Sequence, residues 1–212
     1  MNDQLEVPRT HRKRRSHAER TAETRGRIKA AVIEAISDLG FHRTTAAEIS
    51  RRAGVSWGAA QHHFGDKDGI LTAVLVDSFN RFAERLASIP VENLSLAERV
   101  ALFVDTAWEH FGSAHYRCTL EILLNMPAPD WVSRELPLRD ATLEAWSGIW
   151  GRFFGEANLS PRDQVAVQYY TISVLSGLAA MKRFEGPTVE RRQIELRFLK
   201  ETLIRELDRN SP

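Results

Sequence analysis

Residues 56–67, SWGAAQHHFGDK, place several hydrogen-bonding side chains within about three helical turns. Gln61, His62 and His63 carry amide and imidazole groups, and Lys67 carries a permanent positive charge. Such groups bind base edges and phosphates, and the indole of Trp57 adds an apolar surface for thymine methyl groups. Gly58 lacks a side chain and so permits close backbone approach to a groove, although it costs about 1 kcal/mol of helix stability. This pattern favours nucleic-acid recognition.

Two short helices joined by a tight turn are predicted to position these groups. Thr45 and Glu48 have the spacing of a capping box at the start of the first helix. Gly54 ends that helix, because glycine enters the left-handed region without steric cost. Ser56 then serves as the N-cap of the second helix. Ala60 and Phe64 are expected to pack inward, which leaves an outward face formed by Trp57, Gly58, Gln61 and His62.

The segment resembles the DNA-binding domain of the TetR (tetracycline-repressor-like) family of bacterial transcription regulators. The likeness is close over roughly residues 24–71 and architectural beyond them. It implies a helix-turn-helix whose second helix enters the major groove of double-stranded DNA. The matching residues are Gly40, Phe41, Thr44, Thr45, Ile49, Ala53, Gly54, Val55, Ser56, Gly58, His63, Phe64, Lys67 and Leu71.

The resemblance also implies how this motif divides its contacts with DNA. Thr45, at a helix N-terminus, is expected to bind a phosphate. His63 and Lys67 match phosphate-contacting positions, and Ser56 opens the recognition helix at the same surface. The positions that face base edges are Trp57, Gly58, Gln61 and His62.

Two of these positions leave alternatives open. Gln61 stands where the family commonly has a tyrosine, and it can bind adenine in a bidentate way or donate to a phosphate. Trp57 can contact thymine methyl groups or pack against the first helix as part of the core. The adjacent His62 and His63 point about 100° apart on a helix, so no metal site is expected. No cofactor is expected.

The charge distribution is asymmetric along the 212 residues. Residues 1–67 contain thirteen Lys and Arg against eight Asp and Glu, whereas the remainder contains sixteen against twenty. A basic head and an acidic body suit a protein that binds phosphates at one end. We expect a basic, disordered arm at 1–20, a helix-turn-helix domain at 21–66 and a helical body at 67–212, connected by a helix at about 67–88. The arm either follows DNA or is a solvated tail.

The remaining sequence predicts an all-α fold. Helical periodicity favours helices over about 21–39, 96–111, 116–125, 134–154, 160–184 and 188–207, and no strand alternation is sustained. Pro127 and Pro129 mark a loop, and Ser160 with Pro161 opens a helix as N-cap and first residue. Gly186 and Pro187 are expected to end the penultimate helix.

Aromatic residues are concentrated in the body, where four of the five tryptophans lie. They form either a helical core or an apolar cavity for a small apolar or aromatic effector, as the resemblance implies. The expected ligand-binding residues are Trp108, Phe111, Tyr116, Trp146, Trp150 and Tyr169, with polarity from His110, Glu121 or Asn125. The single cysteine, Cys118, is read as a core residue.

The last two helices have the composition of an oligomer interface. The first carries small residues that permit close approach: Ser173, Ser176, Gly177, Ala179 and Ala180. The second carries a stripe of Leu196, Leu199, Leu203 and Leu207. Packing within one subunit is the alternative, but the resemblance favours a homodimer that presents two heads to a palindromic operator.

These features predict a transcriptional regulator, and we expect a repressor released from its operator by the effector. An activator, a constitutive DNA binder or an all-helical enzyme are the alternatives. A phosphate-binding glycine loop, a GxSxG elbow and a zinc motif are absent from the sequence, so the enzyme is disfavoured. No apolar run reaches the length of a membrane span, and the N-terminus lacks a secretory core, which predicts a cytoplasmic protein without a membrane partner.

Overall fold

The computed structural model describes residues 16–126, 137–182, 184 and 189–209, and within these ranges it contains helices but no strand. The all-α class predicted from the sequence is therefore confirmed. In the described part of the chain, no helix is long and apolar enough to cross a membrane. The helices are α1 (His17–Leu39), α2 (Ala46–Ala53), α3 (Trp57–Phe64), α4 (Lys67–Ala87), α5 (Leu96–Phe111), α6 (Ala114–Asn125), α7 (Pro137–Phe154), α8 (Pro161–Met181) and α9 (Val189–Asp208), with a 3-10 turn at Phe41–Arg43.

The first helix begins four residues before the predicted Thr21. Ser16 is its N-cap and accepts a hydrogen bond of 3.1 Å from the amide of Glu19. The Glu19 carboxylate accepts a 2.6 Å bond from the amide of Ser16, which completes a capping box. Because this local box starts the helix at His17, the predicted disordered arm cannot extend to residue 20. Residues 1–15 of that arm lie outside the described part of the chain.

One hydrophobic cluster, here called the N-terminal core, holds α2 and α3 against α1. Helix α1 supplies its centre, and α2 and α3 contribute the small or branched residues Ile49, Ala53 and Ala60. Small residues at these positions allow two short helices to approach α1 closely, because little side-chain volume separates their backbones. The buried members are Ile28, Ala31, Val32, Ile36, Ile49, Ala53, Ala60, Ile70, Leu71, Val74, Cys118 and Ile122.

A second cluster, here called the C-terminal core, is built from α4 to α9. Helix α4 belongs to both cores: its first half gives Ile70, Leu71 and Val74 to the N-terminal core, and its second half gives Phe82 and Leu86 to this one. The aromatic members of the C-terminal core come mainly from α5 and α7. They include Phe103, Phe111, Tyr116, Trp146, Trp150, Phe153 and Phe154.

Side-chain caps explain most of the helix starts. Asp66 caps α4 by accepting from the amide of Gly69 at 2.7 Å, and Ser160 caps α8 ahead of Pro161, both as predicted. Helix α6 starts at Ala114, two residues before the predicted Tyr116, because Ser113 caps it. Pro137 is the first residue of α7. The predicted loop at residues 127–129 and the predicted break at residues 186–187 lie outside the described residues.

Two glycines with opposite conformations provide a stability test. Gly54 adopts φ +63° at the end of α2, whereas Gly26 lies within α1 with open space around it. Gly54→Ala should lower the free energy of unfolding by about 1–2 kcal/mol, the cost of a side chain in the left-handed region. Gly26→Ala should raise it by about 0.5–1 kcal/mol. Urea denaturation measures both, and an equal change of the same sign would contradict this backbone assignment.

Candidate DNA-binding and effector sites

The turn between α2 and α3 has the geometry of a helix-turn-helix. Thr45 caps α2 by accepting from the amide of Glu48 at 3.2 Å, and Gly54 ends it in the left-handed conformation, with φ 63° and ψ 39°. Ser56 caps α3 by accepting from the amide of Ala59 at 3.2 Å. Ala60 is fully buried on the inner face of α3, and the opposite face of the helix is accessible to a ligand.

The predicted capping box of α2 is only half formed. The Glu48 carboxylate accepts hydrogen bonds from Arg51 and Arg52 instead of from the amide of Thr45. These bonds, with that of Arg51 first, lower the pKa of Glu48 to about 2. Arg52 also binds Asp38 on α1 at 2.6 Å, and the Thr45 amide donates to the carbonyl of Arg43. Arg52 therefore links the Glu48 carboxylate of α2 to Asp38 of α1.

Most of the predicted DNA-binding residues are accessible on α2, on α3 and at the start of α4. Thr45, Ser56, Gly58, Gln61 and His62 are exposed, and His63 and Lys67 are partly exposed. The rings of His62 and His63 lie with centroids 5.5 Å apart. Among the described residues, no group of three ligating side chains could hold a metal ion.

Trp57 differs from its neighbours because it is half-buried. Its side chain packs against the N-terminal core, so the expectation that it faces fully outward is wrong. Lys67 is also held in place, since its ammonium lies 5.1 Å from the centroid of the Phe41 ring. The candidate recognition surface therefore combines exposed polar side chains with one partly buried indole and one cation that lies against an aromatic ring.

Arg25 is a structural element of this site that no pattern in the sequence indicates. Its guanidinium donates to the backbone carbonyl of His63 and lies 4.1 Å from the centroid of the Phe64 ring. Both contacts fix α1 against the C-terminal end of α3. Only the fold brings these residues together, because Arg25 and His63 are 38 positions apart.

The aromatic residues predicted to bind an effector mostly lie together in the C-terminal core. Phe111 and Tyr116 have ring centroids 4.4 Å apart, and Trp146 lies 6.4 Å from Trp150. Trp108 is partly buried at the edge of this cluster, where the Arg192 guanidinium lies 4.9 Å from its ring. The structure therefore brings five of the six predicted residues into one apolar region.

Three polar groups lie within this aromatic region. His110 stacks on Phe82 with centroids 4.7 Å apart, and burial lowers its pKa to about 4. The Tyr116 hydroxyl is 2.8 Å from the Ser176 hydroxyl. The Nε1 donor of Trp146 is buried and has no hydrogen-bond partner within the described residues. A buried donor without an acceptor carries an uncompensated desolvation cost, which an entering acceptor would remove.

Two expectations for the body are corrected. Tyr169 is 67% exposed on α8, so it does not join the aromatic region within one subunit. The leucine stripe of α9 also faces inward: Leu196, Leu199, Leu203 and Leu207 are all buried in the C-terminal core. Periodicity correctly indicated that these leucines share a face, but α5 and its neighbours cover that face within the subunit.

A different apolar surface on α8 and α9 remains exposed. It includes Tyr169, Tyr170 and Met181 on α8, and Ile194 and Phe198 on α9. The small residues Ser173, Gly177 and Ala180 of α8 are exposed as well. The exposed residues of α8 recur every three or four positions, so they lie along one side of that helix.

Fold and site together define an all-helical DNA-binding protein with a helix-turn-helix. The family model described as "Bacterial regulatory proteins, tetR family" matches residues 28–74. The HTH-type transcriptional regulator BetI of Escherichia coli is 40% identical over 161 residues, which cover 74% of this chain and 67% of BetI. The chain belongs to the TetR family and is a DNA-binding transcriptional regulator.

Solved structures agree with this fold. The fatty acid degradation regulator FadR of Bacillus halodurans superposes with a TM-score of 0.64 at 15% identity, covering 92% of this chain and 97% of that one. The FadR of Bacillus subtilis, in complex with stearoyl-CoA, gives a TM-score of 0.59 at 18% identity, with 86% and 96% covered. At such identities the likeness concerns the fold alone.

The partly buried His110 predicts a pH dependence of stability. Its pKa is about 4 in the folded chain against 6.5 for a free imidazole, because burial, aided by His115 and Arg85, disfavours the charged ring. Between these values the unfolded chain binds more protons, so stability falls as pH drops, by up to about 1.4 kcal/mol per pH unit.

Urea unfolding between pH 6.5 and about 5 tests this effect. In that window carboxylates with ordinary pKa values contribute little. His110→Phe preserves an aromatic ring against Phe82 and should make stability depend less on pH. A smaller pH dependence should remain because of His115, whose pKa is also lowered by burial. An unchanged pH dependence in the variant would show that His110 ionises freely in the folded protein.

Proposed function

We propose that this regulator is a repressor that binds a palindromic operator as a homodimer and is released by a small apolar or aromatic effector. The observation that carries the proposal is the arrangement of α4 and α6, which contribute to both cores. A change around the aromatic region can therefore move the recognition helices. The relatives named as transcription regulators support this assignment.

The DNA contacts proposed follow from the accessible surface of α2 and α3. Thr45 lies at the N-terminus of α2, where the helix dipole favours a phosphate. His63 and Lys67 bind phosphates at the other edge of the recognition helix. Gln61 and His62 read base edges, and Gly58 lets the backbone approach the groove. Trp57 takes part through the edge of its indole that the N-terminal core leaves uncovered.

The dimer interface is proposed to be the exposed apolar surface of α8 and α9. Small side chains at Ser173, Gly177 and Ala180 permit close approach of a second α8, and Phe198 extends the apolar area on α9. Exposed apolar patches of this kind mark interaction sites. A twofold axis through this surface presents two recognition helices to the two halves of a palindrome.

The effector site is proposed to lie among Trp108, Phe111, Tyr116, Trp146 and Trp150. The unpartnered indole donor of Trp146 favours a ligand that carries a hydrogen-bond acceptor. The burial that keeps the His110 ring neutral favours a ligand without charge. A small neutral molecule with an aromatic or apolar body and one acceptor oxygen satisfies both. The stearoyl-CoA bound by the Bacillus subtilis FadR supports an apolar ligand in this fold.

Polar contacts provide a route from this site to the recognition helices. The Thr119 hydroxyl of α6 donates to the buried Ser78 hydroxyl of α4 at 3.1 Å. The Cys118 thiol, also on α6, lies 3.5 Å from the Ile33 carbonyl of α1. Movement of α6 is thereby transmitted to α1 and α4, and it changes the distance between the two heads. An effector that binds one spacing more tightly shifts the population toward it.

Selection of bound fragments from a random DNA pool at physiological salt tests the DNA-binding part. The wild type should select a palindrome with half-sites about one helical turn apart. Lys67→Ala should weaken binding equally on all sequences, whereas Gln61→Ala should change preference at particular base pairs, at about 1–3 kcal/mol each. The doubly substituted Thr45→Ala/Lys67→Ala chain should recover no fragments. Unchanged affinity in all three variants would refute this docking.

Analytical ultracentrifugation tests the dimer. Phe198→Glu places a charge on the proposed interface and should give a monomer at micromolar concentration, with helix content unchanged because the residue is 55% exposed. Leu124→Glu on α6 is the matched control, since Leu124 is 74% exposed but lies on another helix, and it should remain dimeric. A dimeric Phe198→Glu protein would require a different interface.

The effector site is tested with a panel of neutral aromatic ketones, esters and amides. Compounds that raise the melting temperature of the wild type should also release it from the selected operator. Trp146→Phe should lose this response, because it removes the indole donor while keeping an aromatic ring. Trp150→Phe makes the same change in volume at another residue of the proposed site, where no unpartnered donor is removed, so it should weaken the response less than Trp146→Phe does. Equal loss in both variants would mean that packing, not the Trp146 donor, sets the affinity.

A further inference from the structure

A surface cavity of about 460 Å³ lies between the first two turns of α1 and the recognition helix α3. One wall comes from α1 and the other from the C-terminal half of α3. The lining residues are His17, Arg20, Thr21, Thr24, His62 and His63. The predicted DNA-binding residues account only for the α3 wall.

The chemistry of the lining suits an anion. Each of its side chains is a guanidinium, an imidazole or a hydroxyl, all of which can donate hydrogen bonds, although the single hydrogen of the Thr24 hydroxyl is already donated to the carbonyl of Arg20 at 2.9 Å. Within the described residues, no hydrogen bond or ion pair engages the Arg20 guanidinium, which is exposed at the cavity. The nearby Glu19 carboxylate is held by the capping box with Ser16. An unpaired, fork-shaped guanidinium matches the geometry of a phosphate.

The two walls are held at a defined distance from each other. The capping box of Ser16 and Glu19 keeps the first turn of α1 helical, so that His17, Arg20, Thr21 and Thr24 fall on one side of it. Arg25, one residue beyond Thr24, donates to the carbonyl of His63 and stacks on Phe64. The cavity therefore exists before a ligand arrives, which reduces the entropy that binding would cost.

We propose that this cavity binds a backbone phosphate of the operator, with Arg20 as its main ligand. The inference rests on the proposed function, because it requires α3 to dock in the major groove. A docked α3 places the flanking sugar-phosphate backbone beside its C-terminal half, where His62 and His63 form one wall. The DNA interface then extends from the helix-turn-helix onto α1. Arg20 contributes affinity and register but carries no base preference.

The salt dependence of operator binding tests this proposal. Each phosphate contact adds about 0.9 to the slope of log K against log [salt], so Arg20→Gln should reduce the slope by about 1.8 in a dimer. Affinity should fall by a similar factor on specific and random DNA. Arg20→Lys keeps the charge and should retain most of the slope. Arg117→Gln removes an equivalent exposed charge from α6 and should leave the slope unchanged.

The outcomes separate this inference from the proposed function. If Lys67→Ala reduces operator affinity while Arg20→Gln leaves both affinity and slope intact, the α1 phosphate contact is wrong and the docking of α3 stands. Absence of operator binding by the wild type would refute the proposed function itself. Titration with inorganic phosphate at constant ionic strength tests whether the cavity binds a free anion in place of a DNA phosphate. Phosphate binding that Arg20→Gln abolishes, without an effect on DNA, would assign the cavity to a free anion and overturn the proposal.

Discussion

The structure depends on one constraint: α4, a single uninterrupted helix, must supply buried side chains to two separate hydrophobic cores. Its 21 residues span about 30 Å, so the side chains that reach the N-terminal core and those that reach the C-terminal core are separated by several turns. Asp66 fixes its beginning beside the recognition helix. A helix shared in this way physically connects the two cores, and the Ser78–Thr119 hydrogen bond attaches α6 to it.

Local chemistry made much of the fold predictable. Thr45, Ser56, Asp66 and Ser160 were each recognised as caps because a cap needs only a side-chain oxygen and an amide two or three residues away. Gly54 was predictable for the same reason, since its left-handed conformation depends on its own backbone. The same local rule explains the missed start of α1: Ser16 and Glu19 form a complete capping box, but it lies inside a segment read as an arm because of its arginines.

Features that require distant partners were predicted poorly. The sequence grouped Leu196, Leu199 and Leu203 correctly, yet periodicity does not say which neighbour covers a face. Tyr169 was assigned to the aromatic region on composition, and the structure leaves it exposed. The capping box expected of Glu48 does not close, because Arg51 and Arg52 bind its carboxylate and Arg52 is itself held by Asp38 of α1, 14 positions away. The contacts of Arg25 and the cavity beside Arg20 exist only because α1 and α3 cross, and no spacing in the sequence encodes that crossing.

Helix α3 separates its structural residues from its exposed ones, and this has a consequence for how the proposed recognition surface can change. Ala60 supports the fold, whereas Gly58, Gln61 and His62 are exposed. Substitutions at exposed positions typically alter stability by less than about 0.5 kcal/mol, so a lineage can acquire a new operator there without losing the folded protein. Trp57 is the exception, because its half-buried indole ties any change in base preference to the packing beneath it. If α3 reads the operator as proposed, exchanges at the exposed Gln61 and His62 therefore cost less folding stability than exchanges at Trp57.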